Sequence, residues 1–261
     1  MQAIIDWLTA INLPGEIITS IIIVFIVLII SLIIYFKVKH TDPLKRPRGI
    51  VHLAELMVSS IDNMVKNNMG AKYHRYGGYF LAVAMYMFFG FTIGLIGLPT
   101  PMTNYMVPLS LALITFIMIH VTAIRANKWK YFKRFLDPFA IFLPVNLISM
   151  WAPLISLSFR LFGNALAGWS IMTIAYWATE SLSTALFGWL IQGGVSSIFV
   201  APLITPWLHM YFDLFSSAVQ IYVFIILSMI FISLEDPSPD TTSAKSLGEV
   251  NKKERIIVKE N

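Results

Sequence analysis

"SLSFRLFGNALAGWS", residues 156–170, sets an arginine inside one of the most apolar parts of this 261-residue chain. From Phe139 to Thr179 the chain runs 41 residues, and Arg160 is the only charged one. It is also the only Lys or Arg between Phe135 and Ala244. A run this apolar belongs in lipid, where an arginine at mid-bilayer depth costs about 2.5–3.5 kcal/mol on insertion scales. Something has to offset that cost, so fold and function are posed by the same residue.

The rest of the chain agrees with the lipid reading. It is 57% hydrophobic and 13% charged, with a mean hydropathy of +0.73. A soluble domain has about a quarter of its residues charged. The expected class is an all-α integral membrane protein with several spans. The start does not read as a secretory signal: Asp6 and Glu16 are acidic, and no Lys or Arg precedes the first apolar run. The absence of cysteine excludes disulfides, thiol catalysis and Cys-based metal sites. The formal net charge of +5 does not point to nucleic acid. The basic residues stand beside apolar runs, where they orient a membrane protein.

Segments follow from apolar run lengths. Residues 1–14 read as an extracytoplasmic N-terminus. Ile17 to Phe36 is uncharged and long enough for one spanning helix within residues 15–36. The basic stretch "KVKHTDPLKRPRG" (37–49) follows. Ile50, Leu53, Met57, Ile61, Met64 and Val65 then recur at helical spacing, with Glu55, Asp62 and Lys66 on other faces. That pattern reads as an interfacial amphipathic helix or as a packing helix in a short soluble lobe, and residues 37–76 are assigned to the cytoplasmic side. Residues 77–134 hold two further spans, Tyr79–Leu98 and Tyr105–Ile124, a turn "PTPMTN" (99–104), and a second basic loop, "RANKWKYFKR" (125–134). If each run crosses once, both basic loops share a side. The positive-inside rule makes that side cytoplasmic and puts the N-terminus outside.

Two very long apolar runs fill residues 135–234: Phe139–Thr179, and Ser181–Leu234 with His209 and Asp213 inside it and a break at "QGGVSS" (192–197), Pro202 and Pro206. As straight helices they exceed a bilayer of about 30 Å, so each is split, bent or strongly tilted. Residues 235–261 are polar, carry Lys245, Lys252, Lys253, Arg255 and Lys259, and read as a flexible cytoplasmic tail.

Intramembrane charges usually face a bundle interior or a water-filled cavity, and they pair. Candidates near Arg160 are Glu180, His209 and Asp213, with Asp137 nearer the cytoplasmic end. Asn164 lies four residues on, on the same helical face, and Gly163, Ala167 and Gly168 add a small-residue surface that lets a helix approach closely. Asp213 and Gln220 are seven apart on one face, with Ser216 and Ser217 nearby. One option is a buried Arg–Asp pair that only fixes packing. The other is an arginine facing a partner's carboxylate, with the remaining polar residues lining water paths. Glu180 fits a half-channel or an outer helix end, and His209 a proton relay or an interface-facing imidazole. His120 reads as a packing histidine.

The stretch 156–168, with its Arg-Leu-Phe-Gly-Asn core followed by Ala-Gly, closely resembles subunit a of the F-type ATP synthase. "PTPMTNYMVPLSLALITF" and "FDLFSSAVQIYVFIILSMIFIS" agree in kind and order, and the likeness covers most of residues 15–235. The resemblance implies that the two long runs form a steeply tilted helical hairpin facing the c-ring. It implies that Arg160 meets each ring carboxylate, favours its ionised form, and blocks ions from leaking between two offset half-channels. It carries Asn164 and Gln220 over as polar neighbours, with Asp213 at a second ionisable position. It departs at Trp169, where the family usually has Glu or His, so Asp213 would work alone or with Glu180 or His209. The implied partners are c-ring subunits, subunit b or an equivalent peripheral stalk, the F1 catalytic head and membrane lipid, in a bacterial plasma membrane. No cofactor is implied, and no GxxxxGK[ST] loop is present to cradle ATP phosphates.

Other classes fit less well. A secondary transporter would more often show an internal repeat, and none is visible. An intramembrane enzyme would need a catalytic grouping, and the chain has no HExxH, no Cys and no two His close in sequence. A membrane scaffold gives no reason for Arg160.

Overall fold

Apolar runs in lipid satisfy their backbone groups internally, and a helix does this within one segment. The computed structural model describes residues 14–40, 49–128, 143–187 and 200–235, and every regular element among them is helical. The helices are α1 (Gly15–Lys39), α2 (Ile50–Met69), α3 (Gly77–Thr92), α4 (Met106–Asn127), α5 (Leu143–Phe187), α6 (Ala201–His209) and α7 (Ser217–Leu234). Short 3-10 turns precede and follow α3, and a π-helical segment, Met210–Ser216, joins α6 to α7 without a break. Five stretches are long and apolar enough to cross a membrane. The chain is an all-α integral membrane protein.

α1 is apolar all round, and only Thr19 and Ile23 on it are buried. It is held to α3 by a Ser20–Tyr86 hydroxyl pair at 2.6 Å. Lipid is as apolar as leucine, so helix association here rests on packing and on such polar clips. Tyr79–Thr115 at 2.8 Å and Tyr76–Thr122 at 2.9 Å do the same near α3 and α4. The core has two parts. One gathers Met87, Met102, Leu111, Leu157, Leu161 and Phe224 from α3, α4, α5, α7 and the loop. The other gathers Val65, Met69, Phe80, Ile119, Met229 and Ile232.

Several expectations change. α2 is helical as its spacing predicts. Its second half docks: Val65 and Met69 are buried, and Ile61 and Met64 pack on the core. Its first half leaves Ile50, Leu53 and Met57 exposed. The span expected at Tyr79–Leu98 is α-helical only to Thr92, because the chain tightens through Ile93–Ile96 and turns at Gly97, whose φ of +85° suits a glycine. Within the turn "PTPMTN", Pro101–Thr103 form a short 3-10 turn, and Pro101 and Met102 are buried. Met102 lies against Gly90, where a Cβ would come within 2.8 Å of its Cε.

The apolar runs do not end where the helices do. α5 passes straight through Glu180 to Phe187 as one helix of 45 residues. A single exposed glutamate is a good helix former, not a breaker. At 1.5 Å per residue α5 is about 68 Å long, more than twice a hydrocarbon core. Pro153 lies within it and Pro206 within α6, so neither ends its helix. Pro202 sits in the first turn of α6, a position proline tolerates. The expected break at 192–197, residues 1–13, most of both basic loops, Asp137 and residues 236–261 lie outside the described residues.

Candidate functional site

α5 has two faces. Leu154, Leu157, Leu161 and Ala165 form its buried stripe. Arg160 stands on the other side, exposed with Gly163 and Ala167. Its guanidinium donates one hydrogen bond, Nη2 to Ser156 Oγ at 3.4 Å, and among the described residues it meets no carboxylate. Around it stand the exposed apolar side chains of Ile155, Phe159 and Leu166. A Cβ built on Gly163 meets nothing within 4 Å, so the outward face beside the arginine is open. Gly168 differs from Gly163: a Cβ built there would lie 3.9 Å from Phe212 Cβ, an ordinary contact distance, so this side of α5 faces the π segment.

Among the described residues Arg160 therefore forms no buried packing pair with an aspartate. Asp213 is engaged elsewhere: its Oδ2 lies 2.5 Å from Nδ1 of His209, one turn back. The other ring nitrogen, Nε2, lies 2.7 Å from the Tyr176 hydroxyl on α5. Asp213 sits within the π segment, and π turns recur at functional sites. Pro206 contributes no N–H one turn earlier. At the border of α5's two faces, Asn164 Oδ1 accepts from Ser216 Oγ at 3.1 Å. Ser217 is buried and back-bonds to the Phe212 carbonyl at 3.3 Å. Gln220 is buried, and its Nε2 finds no hydrogen-bond partner among the described residues.

Asn164, Trp169, Tyr176, His209, Asp213 and Ser217 line one cavity of about 630 Å³, walled by Glu16 at the start of α1 and by residues of the 97–103 loop. A second cavity, of about 300 Å³, lies at the other end of the bundle. Asn146, Ser149 and Pro153 of α5 line it, with His120 and Glu235. Arg160 falls between them in sequence. From Pro153 to Asn164 is about 16 Å along a helix. The second cavity's α5 wall shares a face with Arg160, since Asn146, Ser149, Pro153, Ser156 and Arg160 succeed one another at steps of three and four. The first cavity takes mainly the other side of the helix.

Of the residues singled out by sequence, the structure gathers Asn164, His209, Asp213, Ser216 and Ser217. It does not bring Glu180 in: that side chain is exposed on α5 and lines neither cavity. Sequence reasoning missed Tyr176, which follows Met172 one turn on in the wall of the first cavity. It also missed the second cavity. His120, read as packing, does back-bond to Phe116 O at 3.0 Å and also faces that cavity. Glu235, read as the first residue of the tail, belongs to its wall. Among the described residues, no three His, Asp or Glu side chains cluster closely enough to hold a metal ion.

A family model described as "ATP synthase A chain" matches residues 17–233. The chain is 31% identical to the ATP synthase subunit a of Mycoplasma genitalium over 82% of this chain and 77% of that protein. It is 25% identical to that of Mycoplasmoides gallisepticum over 98% and 89%. With that of Sulfurihydrogenibium sp. it shares 29% identity over 77% and 88%.

Proposed function

The chain belongs to the ATP synthase A chain family, and from that premise we propose that it is the ion-translocating stator subunit of a rotary ATP synthase in a bacterial cell membrane. The observation that carries the mechanism is the placing of Arg160 between two cavities that reach α5 from opposite ends and on different faces. With the N-terminus outside and the basic loops inside, the cavity beside Glu16 and the 97–103 loop opens outward. The cavity beside Glu235 then opens to the cytoplasm.

The exposed arginine needs a partner, and its open face fits a helix carrying a carboxylate, as a c-ring subunit would. The guanidinium stabilises the ionised carboxylate, so each ring site gives up its ion before passing it. Arg160 also repels a cation moving straight from one cavity to the other. The ion therefore crosses only by riding the ring, and the ring turns. Asn164 and Gln220 supply polar contacts beside this barrier, and Asp213 hands ions from the outer cavity toward the ring face, with Ser216 and Ser217 on its path. α5 and the α6–α7 arm form the tilted hairpin that follows the ring, which reconciles about 68 Å of helix with a thinner bilayer. The peripheral stalk and the F1 head complete the assembly, and ATP chemistry resides in other subunits.

Arg160→Ala in the assembled complex, in membrane vesicles, tests this. Assembly is expected to be normal, ATP-driven ion pumping to vanish, and passive ion leak to stay level or rise. Persistent pumping, or loss of the folded subunit, would reduce Arg160 to a packing residue and overturn the mechanism.

A further inference from the structure

We infer that the hydrocarbon chain of a membrane lipid occupies a further cavity, of about 680 Å³ between the turn after α3 and the α6–π arm, and closes the outer cavity on its lipid side. Gly94, Leu95 and Gly97 line it from one side, and Thr205, Pro206, Met210 and Leu214 from the other. Tyr176 and His209 stand in the wall that it shares with the outer cavity of about 630 Å³. The two cavities are alike in size and opposite in chemistry. The outer one is lined by Glu16, Thr103, Asn164 and Asp213 among others. The further one has no Asp, Glu, Lys or Arg in its lining. The inference rests on the membrane class of the chain, and it takes only the outward direction of the first cavity from the function proposed above.

Water is a poor occupant of this space. A buried water needs several polar partners, and the polar side chains here are already bonded. The Tyr176 hydroxyl and Nε2 of His209 hold each other at 2.7 Å, and Nδ1 of His209 lies 2.5 Å from Asp213 Oδ2. Thr205 Oγ1 donates to the Ala201 carbonyl at 2.8 Å, within its own helix. The Gly97 N–H donates to the Gly94 carbonyl at 3.0 Å, and Pro206 has no N–H to offer. What the lining side chains leave to the cavity is carbon surface. Its volume falls in the range of about 300–1,000 Å³ in which proteins hold ligands against mainly apolar walls.

The rim identifies the occupant. Leu95, Met210 and Leu214 are each about half exposed, and Ile96, Leu203 and Trp207 on the same elements are more so. None is charged, so the cavity is continuous with the apolar surface that the bundle turns to the bilayer. Leu95 and Ile96 end the stretch Ala71–Ile96, one of the five able to cross a membrane, and an exposed tryptophan such as Trp207 suits the interface. The mouth therefore lies within reach of a chain whose headgroup stays at the outer surface. That chain gains no hydrophobic energy by moving in, because the surrounding lipid is as apolar as leucine. It enters because an empty space leaves its lining without contacts on one side, and lipid is the solvent at the rim. With no Lys or Arg in lining or rim, the headgroup is not selected. Packed against Gly94 and the Tyr176–His209 pair, the chain keeps water of the outer cavity from spreading sideways into the bilayer.

The test is photolabelling of the assembled complex in vesicles of phosphatidylcholine that carries a diazirine at the end of one acyl chain, read by mass spectrometry of this subunit. Label is expected on Thr205, which is buried, as well as on the rim, and equally when the labelled lipid is anionic phosphatidylglycerol. Leu214→Trp crowds the cavity and should lower the labelling of Thr205 about tenfold, the effect of about 1.4 kcal/mol on an occupancy. Labels on the exposed Val24 and Leu28 of α1 should stay level in that variant. The chain has no cysteine, so Thr205→Cys reports water: a charged maleimide should leave it unmodified while modifying Leu98→Cys, which lines the outer cavity. No label on Thr205 in the wild type, as when a helix of another subunit covers the site, would overturn the inference. So would undiminished label in Leu214→Trp, or reaction of Thr205→Cys at the rate of Leu98→Cys, which would mark a water-filled space. If a variant fails to assemble, the wild-type labelling, which needs no substitution, decides. Arg160→Ala is expected to keep the label. Normal pumping in Arg160→Ala would sink the stator mechanism and leave the lipid site standing, whereas an unlabelled Thr205 in a complex that pumps would sink the lipid site alone.

Discussion

Two glycines five residues apart on α5 should respond to the same substitution in opposite ways. A Cβ at Gly163 meets nothing within 4 Å, and replacing a mid-helix glycine gains up to about 0.8–1 kcal/mol of helix propensity. Gly163→Leu is therefore expected to leave the isolated subunit as stable as before, or slightly more so. Its side chain would project beside Arg160 into the space a ring helix would occupy. A Cβ at Gly168 already sits 3.9 Å from Phe212 Cβ. The further carbons of a leucine lie beyond that contact, and a rotamer aimed at Phe212 brings them inside the contact optimum of about 3.5–4.0 Å. Overpacking of this kind costs about 1–3 kcal/mol, and here it would pry the π segment from α5. The assays are thermal stability of the purified subunit in detergent and ATP-driven pumping of the assembled complex in vesicles. Gly163→Leu should keep stability and lose pumping, with Gly163→Ala intermediate. Gly168→Leu should lose stability first. A Gly163→Leu complex that pumps at the wild-type rate would show that no helix approaches this face, and would remove the reason for placing Arg160 against the ring.

Other consequences are independent of that face. Asp213→Asn should lower coupled transport strongly while assembly persists; normal ATP-driven pumping in that variant would exclude Asp213 from the ion path. Tyr79→Phe removes one clip to Thr115 and should lower subunit stability by about 0.6 kcal/mol, the average for an interhelical hydrogen bond in a membrane. Thr115→Val should cost about as much or more, because it leaves the half-buried Tyr79 hydroxyl without its partner; no loss of stability in either variant would show that the hydroxyls do not pair.

Much was legible in the sequence because lipid makes hydropathy decisive. Any apolar run of sufficient length has to be helical. Composition and run length therefore determined the all-α membrane class and the presence of α1, α3, α4 and the two long arms. Helical spacing determined α2, and the cost of a lone arginine in lipid singled out Arg160. Helix ends were less legible. They depend on turns, such as the positive φ at Gly97, and not on where a charge such as Glu180 interrupts an apolar run.

Tertiary structure alone decided which way each side chain faces and what it meets. Sequence placed Arg160 and Asp213 in reach of each other as readily as apart; the fold turns Arg160 outward and gives Asp213 to His209. Gly163 and Gly168 are alike as letters, yet one opens a face and the other closes a contact. Tyr176 looked like one more aromatic, and only the packing of α5 on the π segment makes it a neighbour of His209. The two cavities, and their offset on either side of Arg160, exist only because separate helices fail to fill the space between them. Periodicity along one chain specifies the faces of a helix, but a void or a hydrogen bond between helices belongs to their mutual placement.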